Sequence, residues 1–460
     1  MSFASGTFLL FLPLTVLAYW LWPARSRYIL LLAASILFYM GWSVPLTGLL
    51  LGETALCYAA CLLVEKNKSK GLLALLLTGM FAPLFVCKYL PFAANSLAYL
   101  IAWPDEGVLA MLSGIILPAG ISFYTFQAVS FVMDVYRGQQ KAERNFLRLA
   151  LFVSFFPQLV AGPIEQAGDL LPQLKEEKRL QTEDLRAGLR LMLCGFFRKI
   201  CLADFLAPTV DHIFSLESPD GMTVFLGAVL FGFQIYNDFA GYSEIALGSA
   251  RLLGIRLTRN FREPYLARGI RDFWRRWHIT LNRWFRLYVY QPLGGKSRRW
   301  LSVTAVFLLS GLWHGADWTF VGWGALHALF YGAEVLLEKR MKKRLPAVIS
   351  IPLTFLAVSV SWILFRADTS VQAAGMFRSL LSLWHPALSW QETGLSPDML
   401  MHLIVLLSLS VPAGRWAFRE EKEASLQSMT VSALLILLIA LCWIMNLQDG
   451  TPNAFIYFQF

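Results

Sequence analysis

Between Arg299 and Glu334 the chain is almost wholly apolar, yet Trp313-His314-Gly315-Ala316-Asp317 interrupts it with the only charged side chain of that stretch. Hydrocarbon offers an imidazole or a carboxylate no water in exchange for lost hydrogen bonds, so such groups at membrane depth face a cavity, a pore or a reaction. His314 is therefore a candidate general base, and desolvation favours the neutral ring that accepts a proton. Gly311 and Gly315 let a backbone or a thin substrate approach closely, and Asp317 at i+3 would hold the imidazole if the segment stayed helical. A buried histidine satisfied by a neighbouring carbonyl fits the same pattern.

A second histidine, His278, closes Arg271-Asp272-Phe273-Trp274-Arg275-Arg276-Trp277-His278, inside a 251–299 segment with thirteen Lys/Arg against only Glu263 and Asp272. Such density exceeds what membrane orientation requires, and Arg275 and Arg276 are candidates to bind the phosphates of a cytoplasmic donor. A snorkelling amphipathic helix on anionic lipid would look the same. A third polar island, Gln234 to Glu244, sets Asn237, Asp238 and Ser243 within an apolar span. It needs a polar interior or hydrogen-bonded neighbours, as in the glue between membrane helices. Of the other histidines, His327 is expected to be a core hydrogen-bonding residue; His212 and His385 fall in outward loops and His402 at the start of a late span. Zinc spacing, phosphate loops and a Gly-x-Ser-x-Gly elbow are absent, so no metal is expected.

The elements that must carry these residues follow from composition. Of 460 residues, 57% are hydrophobic and 15% charged, far from the roughly 25% charged content of a soluble domain. The expectation is an all-α polytopic membrane protein. Sixteen tryptophans, fifteen tyrosines and thirty-five phenylalanines suit interfacial belts and the walls of an internal pocket. The net charge of +10 sits in short loops between apolar spans, which topology explains better than a nucleic-acid partner does. The six cysteines show neither a disulfide framework nor paired metal spacing.

Candidate spans lie at 6–22, 28–43, 45–64, 71–104, 108–135, 191–208, 222–250, 300–316, 318–337, 348–365, 399–418 and 429–446. Placing the basic loops in the cytoplasm puts both termini outside, and requires 71–104 to cross once, broken by Pro83 and Pro91. Phe146 to Pro163, apolar between two basic regions, is expected to be re-entrant, and 165–190 to form one amphipathic surface helix. Trp300 to Ala316 extends only about 25 Å, implying a thin place in the membrane near His314. One integrated domain, 1–460, is expected, with the basic 251–299 segment on the cytoplasmic side and a 447–460 tail outside.

Several motifs, in order, resemble those of the membrane-bound O-acyltransferases, in the bacterial branch that acetylates alginate or transfers D-alanine. They are Leu117-Pro118-Ala119-Gly120-Ile121-Ser122-Phe123-Tyr124, Pro157-Gln158-Leu159-Val160-Ala161-Gly162-Pro163 and Asp238-Phe239-Ala240-Gly241-Tyr242-Ser243. The Phe273 to Leu281 run, Pro292-Leu293-Gly294-Gly295 and Leu312-Trp313-His314-Gly315 complete the set. The resemblance covers nearly the whole chain. It implies that His314 is catalytic and His278 a second functional histidine. It also implies a ring of about 11 tilted transmembrane helices with re-entrant segments around a central tunnel. The closing Phe455-Ile456-Tyr457-Phe458-Gln459-Phe460 resembles a motif of this branch in which the tyrosine is proposed to carry the acyl group.

The expected function is thus acetyl transfer from a cytoplasmic thioester, acetyl-CoA, with no bound cofactor, for O-acetylation of alginate or a similar exopolysaccharide. Peptidoglycan is the alternative acceptor. An extracytoplasmic SGNH-type acetyltransferase or similar secreted protein is the expected partner, with the bilayer, in a bacterial inner membrane. A transporter, or a noncatalytic scaffold for a secreted transferase, stays open on the residues alone.

Overall fold

With no water to satisfy its backbone, an apolar chain of this kind bonds its own N–H and C=O groups within helices. The computed structural model describes residues 1–101, 112, 114–341, 345–382, 384–385, 392–419, 425–449 and 455–456. Every regular element among the described residues is helical. Among the described residues, seven helices are long and apolar enough to cross a membrane: Val44–Lys66, Lys70–Ala98, Gly221–Leu252, Trp318–Arg340, Ala347–Arg366, Met399–Ala417 and Leu426–Ile444. The expected count of about eleven spans is not reached by that test, and the reason is length. Arg27–Met40 and Arg299–His314 have 14 and 16 residues, about 21 and 24 Å of helix against a hydrocarbon core of about 30 Å.

The helices gather into two compact units, Met1–Leu185 with Ser249–Thr258, and Arg186–Gly248 with Arg259–Phe460. The first unit contains α1 (Gly6–Leu21), α2 (Arg27–Met40), α3 (Val44–Lys66), α4 (Lys70–Leu84), α5 (Leu90–Ile101), α6 (Ile121–Tyr136), α7 (Phe146–Ser154) and α8 (Ala167–Lys175). Between α4 and α5 the break expected at Pro83 and Pro91 is a π turn, Phe85–Tyr89, and the helix continues through it. A π turn absorbs the hydrogen bonds that the prolines cannot make without ending the helix. Two of the quoted motifs meet here. Gly120, the left-handed N-cap of α6, lies so close to the 157–163 turn that a Cβ would stand 2.5 Å from the Leu159 carbonyl oxygen.

The segment expected to be re-entrant is the nine-residue α7 followed by turns, with Leu149 through Ile164 buried. Its irregular backbone is satisfied inside protein: the Gln127 and Gln158 amides both donate to the Phe152 carbonyl, at 2.6 and 2.8 Å. The single surface helix expected over 165–190 is instead two helices, α8 and α9 (Thr182–Phe196), separated by an exposed stretch from Glu176 to Gln181. The first of them ends at Lys175, where Glu176 turns extended.

The second unit holds most of α9, then a π turn (Phe197–Ala203), α10 (Asp204–Ser215), α11 (Gly221–Leu252), α12 (Ile270–Arg276), α13 (Ile279–Phe285), α14 (Arg299–His314), α15 (Trp318–Met341), α16 (Ala347–Arg366), α17 (Ser370–Leu381), α18 (Pro397–Ala417) and α19 (Leu426–Asp449). The 251–299 segment is not a plain loop. It folds into the short helices α12 and α13, and Phe273, Trp274, Trp277, Leu281 and Phe285 among its residues are buried.

Candidate active site

His314 is the last residue of α14. The helix stops there because Gly315 turns extended and Asp317 Oδ1 accepts the Thr319 amide at 2.8 Å, capping the start of α15. Asp317 therefore starts the next helix; the continuous helix that would have set it at i+3 on the imidazole ends before it. Close packing of α14 on α15 depends on Gly311, where a Cβ would fall 2.2 Å from the Phe320 carbonyl oxygen. His314 is 3% exposed and enclosed by the rings of Trp313, Trp323 and Phe365, at 5.0, 5.4 and 5.3 Å between centroids. The carbonyl end of a helix favours the positive charge that develops on a ring taking up a proton.

His278 lies between α12 and α13 and is fully buried, at φ 43° and ψ 56°. Left-handed backbone is costly for a residue with a side chain, and such strain persists only where the surroundings impose it. Asn260 and Asn282 impose it here. The Ile279 amide donates to the Asn260 carbonyl at 2.9 Å and the Thr280 hydroxyl to Asn260 Oδ1 at 2.7 Å. Asn282 Nδ2 donates to the Trp274 and Trp277 carbonyls at 2.8 and 2.7 Å. Burial pushes the His278 imidazole down to about 3, so the ring is neutral. Its ring stands 6.3 Å from that of His314, 5.7 Å from Trp313 and 4.8 Å from Phe239. Two histidines from separate motifs thus share one buried, aromatic-walled place.

The polar island of α11 faces charge. Arg198 Nε lies 3.0 Å from Glu244 Oε2, and its Nη1 donates to Asn237 Oδ1 and to the Ser410 hydroxyl at 2.9 Å each. Lys199 Nζ reaches Asp204 at 2.8 Å and Asp238 at 2.7 Å. All of these groups are buried, and Ser243 is buried beside them in the chain. Asp238 has a further contact: its Oδ2 accepts the Ile456 amide at 2.7 Å.

The profile described as MBOAT, membrane-bound O-acyltransferase family, matches residues 140–347. The chain is 38% identical over 394 residues to the probable alginate O-acetylase of Azotobacter vinelandii, covering 83% of this chain and 78% of the relative. The chain belongs to the membrane-bound O-acyltransferase family. The probable alginate O-acetylase of Pseudomonas putida is 35% identical across the full length of both chains. The peptidoglycan O-acetyltransferase of Helicobacter pylori is 30% identical over 98% of this chain and 95% of its own. The matched region contains both histidine motifs.

In this acyltransferase, a multi-pass membrane protein, the other expected site residues take different places. Arg275 is exposed, and Arg276 is held by Asp272 at 3.0 Å on the turn of α12. Tyr457 lies outside the described residues, whereas Phe455 and Ile456 before it are described and buried. His327 is a core residue: Trp274 Nε1 donates to its Nδ1 at 3.3 Å, and its Nε2 is 3.0 Å from the Ser361 hydroxyl. That hydroxyl gives its own proton to the Val358 carbonyl, which leaves His327 Nε2 as the donor and fixes a neutral tautomer. Arg198 and Lys199 were missed in the sequence, where they form an isolated basic pair. The signal that marks them is their position inside the apolar 191–208 span, where a cation needs a partner.

Proposed function

We propose that this acyltransferase takes an acetyl group from a cytoplasmic thioester, acetyl-CoA, and delivers it across the membrane for O-acetylation of an extracytoplasmic polysaccharide. The observation that carries this is the buried pair His278 and His314, 6.3 Å apart within one aromatic enclosure. His314 acts as the general base. A hydroxyl oxygen attacks the thioester carbonyl carbon as its proton passes to His314; the C–S bond breaks and the thiolate leaves, taking up a proton in turn. His278, neutral and locked in place by its neighbours, orients or assists from the other side.

The acceptor of this first transfer is the Tyr457 hydroxyl, from which a secreted transferase takes the acetyl group to the polymer. Arg275, exposed on α12, is available to donor phosphates. An alginate-like exopolysaccharide is the favoured polymer, since relatives named for alginate are the more similar; a relative matched over 95% of its length is a peptidoglycan O-acetyltransferase. The test is full-length protein in proteoliposomes given labelled acetyl-CoA, followed by mass spectrometry of the 447–460 peptide. Label on Tyr457, absent in Tyr457→Phe, supports the carrier step. An unlabelled tyrosine with an active Tyr457→Phe variant refutes it, and intact acetyl-CoA appearing across the bilayer would make the protein a transporter.

A further inference from the structure

The contact between Asp238 and the Ile456 amide has no role in the chemistry above, yet it is an expensive contact to build. Asp238 is 2% exposed and Ile456 5%. The carboxylate is held between two partners, Lys199 Nζ on Oδ1 at 2.7 Å and the amide on Oδ2 at 2.7 Å. In this cluster Arg198 and Lys199 meet Glu244, Asp204 and Asp238, two cations against three carboxylates. Buried ion pairs contribute little net stability because desolvation offsets their attraction, so a surplus carboxylate aimed at one backbone N–H points to position rather than stability.

The neighbouring contacts give the direction. Phe455 stacks on Tyr242 with centroids 4.5 Å apart and lies 5.8 Å from Phe239, which in turn stands 4.8 Å from His278. Phe455, Phe239 and His278 form a row of rings that ends at the imidazole pair. Tyr457 follows Ile456 directly in the chain.

We infer that Asp238, oriented by Lys199, is a docking point that holds the backbone of residues 455–456 beside the histidine pair. It is a positioning residue, and it acts through the Ile456 main chain. Because the contact is to a main-chain N–H, it fixes the segment's register without reading the Ile456 side chain. The role in transfer rests on Tyr457 being the acyl acceptor; the docking itself does not.

The test uses the full-length protein in nanodiscs and follows amide hydrogen exchange in the 450–460 peptide. Ile456→Pro deletes the N–H donor at a site outside every long helix, and Ile456→Ala retains it. Asp238→Asn removes the charge on the acceptor. Exchange is expected to rise about tenfold in Ile456→Pro and Asp238→Asn, the factor a lost charged hydrogen bond carries, and to stay near wild type in Ile456→Ala. Acetyl transfer in Asp238→Asn should fall in kcat with donor KM unchanged. Wild-type exchange in Ile456→Pro overturns the docking point, even where Asp238→Asn fails to accumulate. Tyr457→Phe separates the two ideas: retained protection with full activity removes the carrier step and leaves the docking, while lost protection in Ile456→Pro with an inactive Tyr457→Phe supports both.

Discussion

The rings of His278 and His314 stand 6.3 Å apart, and neither is open to solvent. The two residues differ in how they are held: His314 ends a helix, whereas His278 occupies strained left-handed backbone.

The burial of His278 predicts an acid limb in stability. Its folded value of about 3 lies below the ordinary value of about 6.5. Above about 6.5 the ring is neutral in both states and contributes nothing. As pH falls from about 6.5 towards 3 only the unfolded chain takes up this proton, so stability is lost across that window. His278→Gln, uncharged throughout, should unfold at a lower pH than wild type in an acid titration followed by tryptophan fluorescence; coincident acid limbs would contradict this.

Arg198 and Glu244 form a buried pair at 3.0 Å, each nearly inaccessible. Removing one partner strands a charge and costs about 3 to 5 kcal/mol, whereas replacing both by apolar groups is close to neutral. Arg198→Met should therefore lower the unfolding temperature strongly, and Arg198→Met with Glu244→Leu should recover most of it. Equal losses in the single and double variants would mean that the ion pair is not the dominant interaction of Arg198.

His327, fixed by Trp274 and Ser361, is a structural histidine in spite of its proximity in sequence to His314. His327→Leu leaves the Trp274 and Ser361 groups without it and should cost about 1 to 3 kcal/mol of stability. The surviving folded protein should turn over at nearly the wild-type rate. A variant that is stable but inactive would place His327 in the chemistry.

Asp317 caps α15 through the Thr319 amide. Asp317→Ala should cost about 1 kcal/mol in thermal unfolding, with kcat little changed, while Asp317→Asn, which retains a capping oxygen, should stay near wild type. A large kcat loss in Asp317→Asn would restore the idea that this carboxylate orients His314.

These residues also mark what was legible in the sequence. Long spans such as Val44–Lys66 and Ala347–Arg366 emerge from hydropathy alone, since length and composition decide them. The π turns at Phe85–Tyr89 and Phe197–Ala203 carry no such pattern: they depend on which backbone groups the surrounding helices satisfy. The importance of His314 was visible in its medium, an ionisable ring in an apolar stretch. Its nearness to His278 was not, because spacing along the chain says nothing about two motifs joined by the 279–313 segment; only their resemblance to a known set paired them. Asp317 misled because Gly315 ends the helix, and Asp238 was identified as polar but not as the acceptor for Ile456, a contact between residues remote in sequence.

His314 is, in the proposed function, the base for acyl transfer. Deleting a general base costs about 10² to 10⁴ in rate. The direct measurement is transfer of label from acetyl-CoA by His314→Ala in proteoliposomes, with folding checked by its unfolding temperature. A folded variant that has lost at least about a hundredfold of its activity agrees with this role; a folded variant that transfers acetyl at the wild-type rate contradicts it.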